Sequence, residues 1–154
     1  MNLRIICSIL MLQACATPGY LNSFEIDTSC SLSIVEGELN GKQTYFLLDT
    51  GAGLTSVDLS QSKRFGFSSA DTDELIAGFT NDKTNAKMAI GIHSIKVNGI
   101  EVHDGVIYTN RMDNLVEYIS TCSHKTISGI IGAPLIKKYG LVIDLMNSRM
   151  TKVN

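Results

Sequence analysis

The sequence predicts a mostly β domain with one or two short helices. Alternating apolar and polar residues recur in short runs that are typical of half-buried strands. Asn-Gly pairs between these runs predict tight hairpin turns. The third observation is compositional: 13 glycines accompany only 6% aromatic residues, which favours a turn-rich chain of small strands over a helical bundle.

Length and charge narrow the class of protein. A chain of 154 residues fits one domain rather than two. Its 44% hydrophobic residues and two prolines argue against a disordered chain. The formal net charge of -2 gives no basic surface of the kind that binds nucleic acid, so we expect no nucleic-acid partner.

The predicted strands follow one another between turn signals. Residues 31–39 alternate with a period of about two, and Asn40-Gly41 turns them into a second strand over 43–48. A run at 88–97 is joined by Asn98-Gly99 to its partner in the same way. The remaining strands are predicted at 100–102, 106–108, 127–131 and 141–145.

Helix signals are few. Apolar residues at helical spacing predict one short helix over 113–120. A second helix, over 134–140, begins with a proline, carries two lysines in its last turn and ends at a glycine. Each of these residue types is favourable at that helix position.

The N-terminus predicts an export signal. Arg4 precedes an apolar run over 5–12, which is too short to span a membrane. Two cleavage patterns compete. Leu12-Gln13-Ala14-Cys15 resembles a bacterial lipobox, in which Cys15 is lipidated, although Gln13 is unusual there; Ala14-Cys15-Ala16 fits ordinary signal peptidase. We favour lipidation, because a cysteine directly after such a short run is otherwise hard to explain.

This interpretation divides the chain into three parts. We expect a signal peptide at 1–15, a short tether at 16–30 and the folded domain at 31–154. The protein would then be exported to a bacterial cell envelope. It would face the periplasm and touch the membrane only through its lipid anchor, or it would be secreted.

Two cysteines remain once the signal is removed and Cys15 is lipidated. In an oxidising compartment, Cys30 and Cys122 either form a disulfide or stay as two buried thiols, and the sequence leaves both open. Neither has a close cysteine or histidine partner at zinc spacing. We therefore expect no metal and no cofactor, and we expect the three histidines on the surface or in loops.

The stretch that carries chemistry is Asp49-Thr50-Gly51-Ala52. It places an ionisable carboxyl after four apolar residues, at the end of a predicted strand. The glycine lets the backbone approach the carboxylate closely, and the threonine hydroxyl can hold a neighbouring backbone group. Asp-Thr-Gly is also a common turn after a strand, so the tripeptide alone does not decide its role.

The wider context resembles the retropepsin-like aspartic proteases, the single-lobe relatives of pepsin. Residues 47–52 match the family's Asp-Thr-Gly strand, and Thr55-Ser56-Val57 is its typical continuation. The family's flap would lie at Ala77-Gly78-Phe79, and its second apolar-apolar-glycine element at Ile130-Ile131-Gly132. Residues 141–144 resemble the closing strand. The implied fold is one lobe of the acid protease barrel.

The resemblance implies a mechanism and a partner. In that family, two Asp-Thr-Gly loops meet at a two-fold axis, and their carboxylates share one proton because both cannot ionise together. The pair activates a water that attacks a peptide bond of a peptide or protein substrate. Asp49 would be the catalytic carboxyl, Thr50 would cross-link the paired loops, and Gly51 would position the carboxylate.

This chain carries a single Asp-Thr-Gly, since Asp144, the other aspartate that closes an apolar run, is followed by Leu-Met-Asn. The resemblance therefore predicts a homodimer with one Asp49 from each chain. Ala133-Pro134 stands where viral members carry a charged residue that braces the dimer, so the brace must differ. The alternatives are a non-catalytic module on the same fold that binds a peptide or a partner, and an unrelated small β-barrel lipoprotein with Asp49 in an ordinary turn.

Overall fold

The computed structural model describes residues 23–77, 83–102 and 105–153. The predicted signal peptide and Cys15 lie outside the described residues, as do Gly78 and Phe79 of the predicted flap. Within the described part, the chain is mostly β with few short helices, as predicted.

The described part contains twelve strands and four helical segments. The strands are β1 (Ser23–Glu25), β2 (Ser33–Leu39), β3 (Lys42–Asp49), β4 (Ser56–Asp58), β5 (Ser68–Ala77), β6 (Lys83–Ile90), β7 (Ile95–Val97), β8 (Ile100–Glu101), β9 (Tyr108–Asn110), β10 (Ile127–Gly132), β11 (Leu141–Asp144) and β12 (Arg149–Lys152). The helices are a 3₁₀ turn (Leu59–Gln61), α1 (Ser62–Phe65), α2 (Asp113–Ser123) and α3 (Ala133–Lys138).

The strands form two sheets. Nine of them pair in the order β5-β6-β9-β4-β10-β3-β2-β7-β8, and the other three pair as β1-β12-β11. Near the centre of the large sheet, β10 runs parallel to β3 on one side and antiparallel to β4 on the other. Two segments far apart in the sequence therefore become direct neighbours.

Both predicted Asn-Gly turns are present. Asn40 and Gly41 have φ angles of 49° and 74°, and Asn98 and Gly99 have φ angles of 46° and 78°. Two successive positive φ values define the turn whose twist matches that of a hairpin. Leu39 accordingly pairs with Lys42 directly across the first turn.

The sheet around β3 is buried on both faces. One face, with Val35, Phe46, Leu48 and Ile131, belongs to the main core, which also receives α3 and the three-stranded sheet. The opposite face forms a second cluster, which α2 covers, with Cys30, Ile34, Leu47, Ile119 and Ile127 as its buried members. Burial on both faces explains why β3 reads as a continuous apolar run rather than as an alternating one.

Several predicted boundaries differ from the structure. The run predicted at 88–97 is two strands, because Gly91 has a φ of 90° and breaks the extended chain between Ile90 and Ile95. The helix predicted at 113–120 continues to Ser123, and the helix predicted at 134–140 is already complete at Lys138. Strands β1, β4, β5 and β12 have no counterpart among the strands that the sequence pattern predicts.

The predicted tether is wrong for the part that the structure describes. Ser23–Glu25 pair antiparallel with β12, and Asp27 forms a β-bridge with Ile34. Residues 23–30 are therefore folded onto the domain. Their packing partners lie at the other end of the chain, which local sequence patterns do not reveal.

Cys30 and Cys122 are joined in a disulfide, with a Cα–Cα distance of 5.6 Å. The bond links the segment before β2 to the last turn of α2. Of the two interpretations of these cysteines, the structure therefore has the disulfide. Separately, none of the helices in the described part has the length and apolarity needed to cross a membrane.

Candidate active site

Asp49 is the last residue of β3 and lies opposite the second glycine element. In the parallel ladder, Leu47 pairs with Ile130, Leu48 with Ile131 and Asp49 with Gly132. The structure thus places the Asp-Thr-Gly loop directly against Ile130-Ile131-Gly132. An ordinary turn after a strand would not require this pairing.

Hydrogen bonds connect the loop after Asp49 to the end of β10. The Gly132 N–H donates to the Thr55 hydroxyl oxygen at 3.0 Å, and the Ala133 N–H donates to the carbonyl of Ala52 at 2.8 Å. A Cβ atom at Gly132 would lie only 2.3 Å from the carbonyl oxygen of Leu54, so only glycine allows this approach. The position of Asp49 is therefore fixed from both strands.

The Asp49 carboxylate is held by its own loop. The Gly51 N–H donates to Asp49 Oδ1 at 2.8 Å, and the Ala52 N–H donates to the Asp49 carbonyl at 3.2 Å. Asp49 is partly exposed, while Thr50 and Gly51 are exposed. The loop thus orients the carboxylate and leaves it accessible from outside the chain.

Ala77, the described residue of the predicted flap, ends a long strand. β5 and β6 pair antiparallel up to Ala77, which faces Lys83 at the last described rung. β6 also pairs with β9, and β9 pairs parallel with β4, next to β10. The hairpin therefore belongs to the same sheet as Asp49, and Ala77 ends one of its arms.

A buried polar network supports β4. Asp58 is 1% exposed and accepts hydrogen bonds from the Ser60 N–H and the Gln61 side chain. Gln61 also donates to the carbonyl of Ile127 at 2.7 Å and accepts from the Ser128 hydroxyl at 2.8 Å. Sequence reasoning missed this network, although an aspartate followed three residues later by a glutamine, as Asp58 is by Gln61, is a usual signal for a helix N-terminus.

Asp144 occupies a different place. It ends β11 in the three-stranded sheet and accepts hydrogen bonds from the Asn147 side chain and backbone, which lower the pKa of its carboxyl. The structure therefore gives Asp144 a turn-stabilising role, away from the paired loops.

A surface cavity of about 340 Å³ lies at the other end of β3 from Asp49, where its lining includes Gln43, Tyr45 and Lys125. In the described residues, no group of three or more His, Cys, Asp and Glu side chains is placed to hold a metal ion. His93 and His124 are exposed, and His103 lies outside the described residues. That the protein needs no cofactor stays a prediction.

The comparison with protein families agrees with this geometry. The model of the family described as gag-polyprotein putative aspartyl protease matches residues 35–119, more than half of the chain. The chain belongs to this family. The match includes Asp49-Thr50-Gly51 and the β5–β6 hairpin, and it ends within α2. A search of curated protein sequences finds no match.

A solved structure has the same fold. A retropepsin-like aspartic protease from Rickettsia conorii superposes with a TM-score of 0.55 at 15% identity, over 83% of this chain and 87% of that one. The retroviral protease-like domain of Ddi1 from Leishmania major gives a TM-score of 0.49 at 16% identity, over 79% and 87% of the two chains. The first likeness confirms the single-lobe retropepsin-like fold and leaves no place for an unrelated β-barrel.

Proposed function

We propose that this protein is an aspartic endopeptidase that works as a homodimer, with one Asp49 from each chain. The observation that carries the proposal is the pairing of Asp49 with Gly132, where the two loops are cross-linked by hydrogen bonds. Family membership supports the peptidase class. The accessibility of the Asp49 loop supports a partner for its carboxylate.

The dimer follows from the chemistry. The proposed mechanism needs two carboxyl groups that share a proton, so that one acts as the base and the other as the acid. Each chain supplies one Asp-Thr-Gly. Thr50 and Gly51 are exposed beside Asp49, on the surface that a second copy would have to meet.

The catalytic steps would use only the paired carboxyls and a water. The ionised Asp49 removes a proton from the water, which attacks the carbonyl carbon of the substrate. The protonated Asp49 of the other copy donates its proton to the carbonyl oxygen. When the tetrahedral intermediate collapses, the carboxyl that took the proton of the water gives it to the leaving nitrogen, the other carboxylate takes a proton back from a hydroxyl of the intermediate, and the C–N bond breaks.

The test compares the wild-type protein with Asp49→Asn on an unfolded protein substrate at mildly acidic pH. We expect the variant to keep its fold and to lose cleavage by at least about a hundredfold, the lower range for an acid–base group. Asp71→Asn is the matched control, because Asp71 has an 86% exposed side chain whose surface ion pair with Lys87 contributes little. Full activity in Asp49→Asn would refute the assignment.

Subunit mixing tests the shared site. Equal amounts of wild type and Asp49→Asn are unfolded and refolded together. Random pairing should leave about a quarter of the activity of the same total amount of wild-type protein, because only one dimer in four keeps both aspartates. A fall to one half would mean that each chain acts alone. A folded dimer that binds peptides without cleaving them would favour the non-catalytic binding module.

We also propose that the chain is exported and anchored through a lipid on Cys15. The predicted signal over 1–15 supports export, and the Cys30–Cys122 disulfide suits an oxidising compartment. Cys15→Ala should move the protein from the membrane fraction to the soluble one, whereas Cys7→Ala, within the signal, should not. Soluble wild-type protein would instead indicate ordinary signal peptidase.

A further inference from the structure

Strand β10 contains one residue more than the stretch of β3 beside it. Ile127 pairs with Tyr45, but the next pair along the ladder is Gly129 with Phe46. The extra residue is Ser128. An insertion of this kind is a β-bulge, which is rare in a parallel pair of strands and often re-aims residues next to an active site.

The two faces of β10 agree with the bulge. Along a regular strand, side chains on one face are an even number of residues apart. Ile127 and Ile130 are three residues apart, yet both lie in the second cluster. Ile131, the next residue, lies in the main core. The extra residue therefore keeps both Ile127 and Ile130 on the face that α2 covers.

The bulge decides which residue of β10 pairs with Asp49. If the register at Ile127 continued without an extra residue, Ile131 would lie opposite Asp49. With the bulge, Gly132 takes that place, and it lies closer to the Leu54 carbonyl than a residue with a Cβ atom could. A slip by one residue would also turn each later side chain to the opposite face. The geometry of the Asp49 loop thus depends on an irregularity earlier in β10.

Gln61 contacts the bulge through both ends of its side-chain amide. Its Nε2 donates to the carbonyl of Ile127 at 2.7 Å and to Asp58 Oδ2 at 3.2 Å. A carbonyl oxygen can only accept, so the first contact fixes which end of the amide is Nε2. Its Oε1 accepts from the Ser128 hydroxyl at 2.8 Å. One side chain therefore holds the backbone before the bulge and the side chain of the bulge residue together.

The Ser128 hydroxyl extends this network to β3. It is hydrogen bonded to the Thr44 hydroxyl, which donates, because the Ser128 hydrogen is directed at Gln61. Ser128, Thr44 and Asp58 are all buried, so a partner lost from the network leaves a buried polar group unpaired. The network thus connects β4, β10 and β3 around the bulge.

We propose that Gln61 and Ser128 are positioning residues, which hold the bulge that brings Gly132, rather than Ile131, opposite Asp49. This inference rests on the proposed function. Both residues act through the backbone of β10, and a hydrogen-bonded supporting network is a usual way to keep a site in its productive geometry. A displacement of about 1 Å caused by a distant substitution can lower a rate by about a hundredfold.

The first test measures the kinetics of the full chain. Gln61→Met keeps the approximate length of the side chain and removes its hydrogen bonds, and Ser128→Ala removes the hydroxyl. We expect kcat to fall by about tenfold to a hundredfold and KM to change by less than about twofold, because substrate still binds while the carboxylate is misplaced. Ile119→Val is the matched control, because it removes buried volume from the second cluster, outside the network. It should leave kcat unchanged.

The second test does not depend on activity. A slipped register should release the Gly132 N–H from the Thr55 hydroxyl. In Gln61→Met and Ser128→Ala, hydrogen exchange at Gly132 should become at least about tenfold faster relative to the amides of β2. In Ile119→Val, exchange at Gly132 and in β2 should shift together. Ser128→Thr retains the hydroxyl and should restore both kcat and the exchange rate.

The outcomes separate this inference from the proposed function. Wild-type kcat in folded variants, or exchange at Gly132 that shifts only with β2, would overturn the positioning role and leave the proposed peptidase intact. Cleavage that Asp49→Asn fails to abolish, or no cleavage by a wild-type dimer, would overturn the proposed function instead. If Ser128→Ala or Ser128→Thr does not fold, Thr44→Val and Thr44→Ser make the same comparison at the β3 side of the network. Equal behaviour of the variants with and without the hydroxyl would mean that these hydrogen bonds do not hold the bulge.

Discussion

The parallel pair of β3 and β10 has two ends that are built differently. At one end, which we call the open end, the Gly132 N–H donates to the Thr55 hydroxyl, the glycine allows a close approach of the two loops, and the Asp49 carboxylate stays accessible. At the other end, which we call the closed end, Lys125 lies over the Tyr45 ring and forms an ion pair with Asp27. The two ends of one strand pair are thus held by different means, a close glycine approach at the open end and charged side chains at the closed end.

The variant with the largest expected effect, on stability and activity together, is Gly132→Ala. The added methyl group would lie 2.3 Å from the Leu54 carbonyl oxygen and would separate the two loops. We expect a loss of about 3 kcal/mol in the free energy of unfolding, together with loss of activity. Gly53→Ala is the matched control in the same loop, because nothing lies within 4 Å of its Cβ position. Chemical denaturation measures the stability of both variants. Equal stability would contradict the close approach of Gly132 to the Leu54 carbonyl.

Removing the disulfide tests the link between the segment before β2 and helix α2. The Cys30→Ser, Cys122→Ser double variant opens a covalent loop with a sequence separation of 92 residues. We expect it to lose about 2–4 kcal/mol of stability. Thermal unfolding with and without reductant measures the effect, since reductant should lower the Tm of the wild type and leave the variant unchanged. A wild-type Tm that ignores reductant would contradict the prediction.

Thr55→Val tests how the open end is held. Valine keeps the shape of the side chain but removes the hydroxyl that accepts from the buried Gly132 N–H. Leaving that N–H unpaired should cost about 1–3 kcal/mol and should lower activity, because the loops lose their register. Thr55→Ser retains the hydroxyl and should restore both readouts. If Ser and Val behave alike, the hydrogen bond is not what positions Gly132.

The smallest effect is expected from the ion pair at the closed end. Hydrogen bonds from Lys125 and Ser29 lower the pKa of Asp27 from 3.8 to about 2. Because the folded pKa is depressed, the stabilisation is present above about pH 4 and is lost as the pH falls through about 2. Asp27→Asn should remove about 1 kcal/mol at neutral pH, after allowance for solvent screening.

Denaturation curves between pH 2 and pH 5 check this prediction. The difference between wild type and Asp27→Asn should shrink as the pH approaches 2, while Asp71→Asn, at an exposed ion pair, should track the wild type throughout. A difference that does not change with pH would mean that Asp27 acts through packing rather than through its charge.

Much of the open end could be predicted from the sequence. The run before Asp49 predicted a strand that ends at a carboxyl, and Ile130-Ile131-Gly132 was assigned to the opposing element through the family resemblance. The structure pairs the two. Thr55 was recognised only as a continuation of the motif, and its hydrogen bond to Gly132 depends on the approach of a strand more than 70 residues away.

Contacts elsewhere in the domain could be predicted less well. The sequence left the state of Cys30 and Cys122 open, and it assigned residues 16–30 to a tether, although Ser23–Glu25 form a strand. Strand β5 was missed because its residues are mostly polar and small, so it carries no clear alternation. Its extended form is stabilised by pairing with β6 rather than by its own pattern.

By itself, the sequence determined the features that depend on neighbouring residues. Both Asn-Gly turns follow from the tolerance of asparagine and glycine for positive φ, and the Asp49 loop follows from a glycine that lets its N–H reach the carboxylate. Only the tertiary structure decided the pairing of β3 with β10, the disulfide and the packing of α2 over the second cluster. These contacts join segments far apart in the chain, and their stability comes from burial that no local pattern encodes.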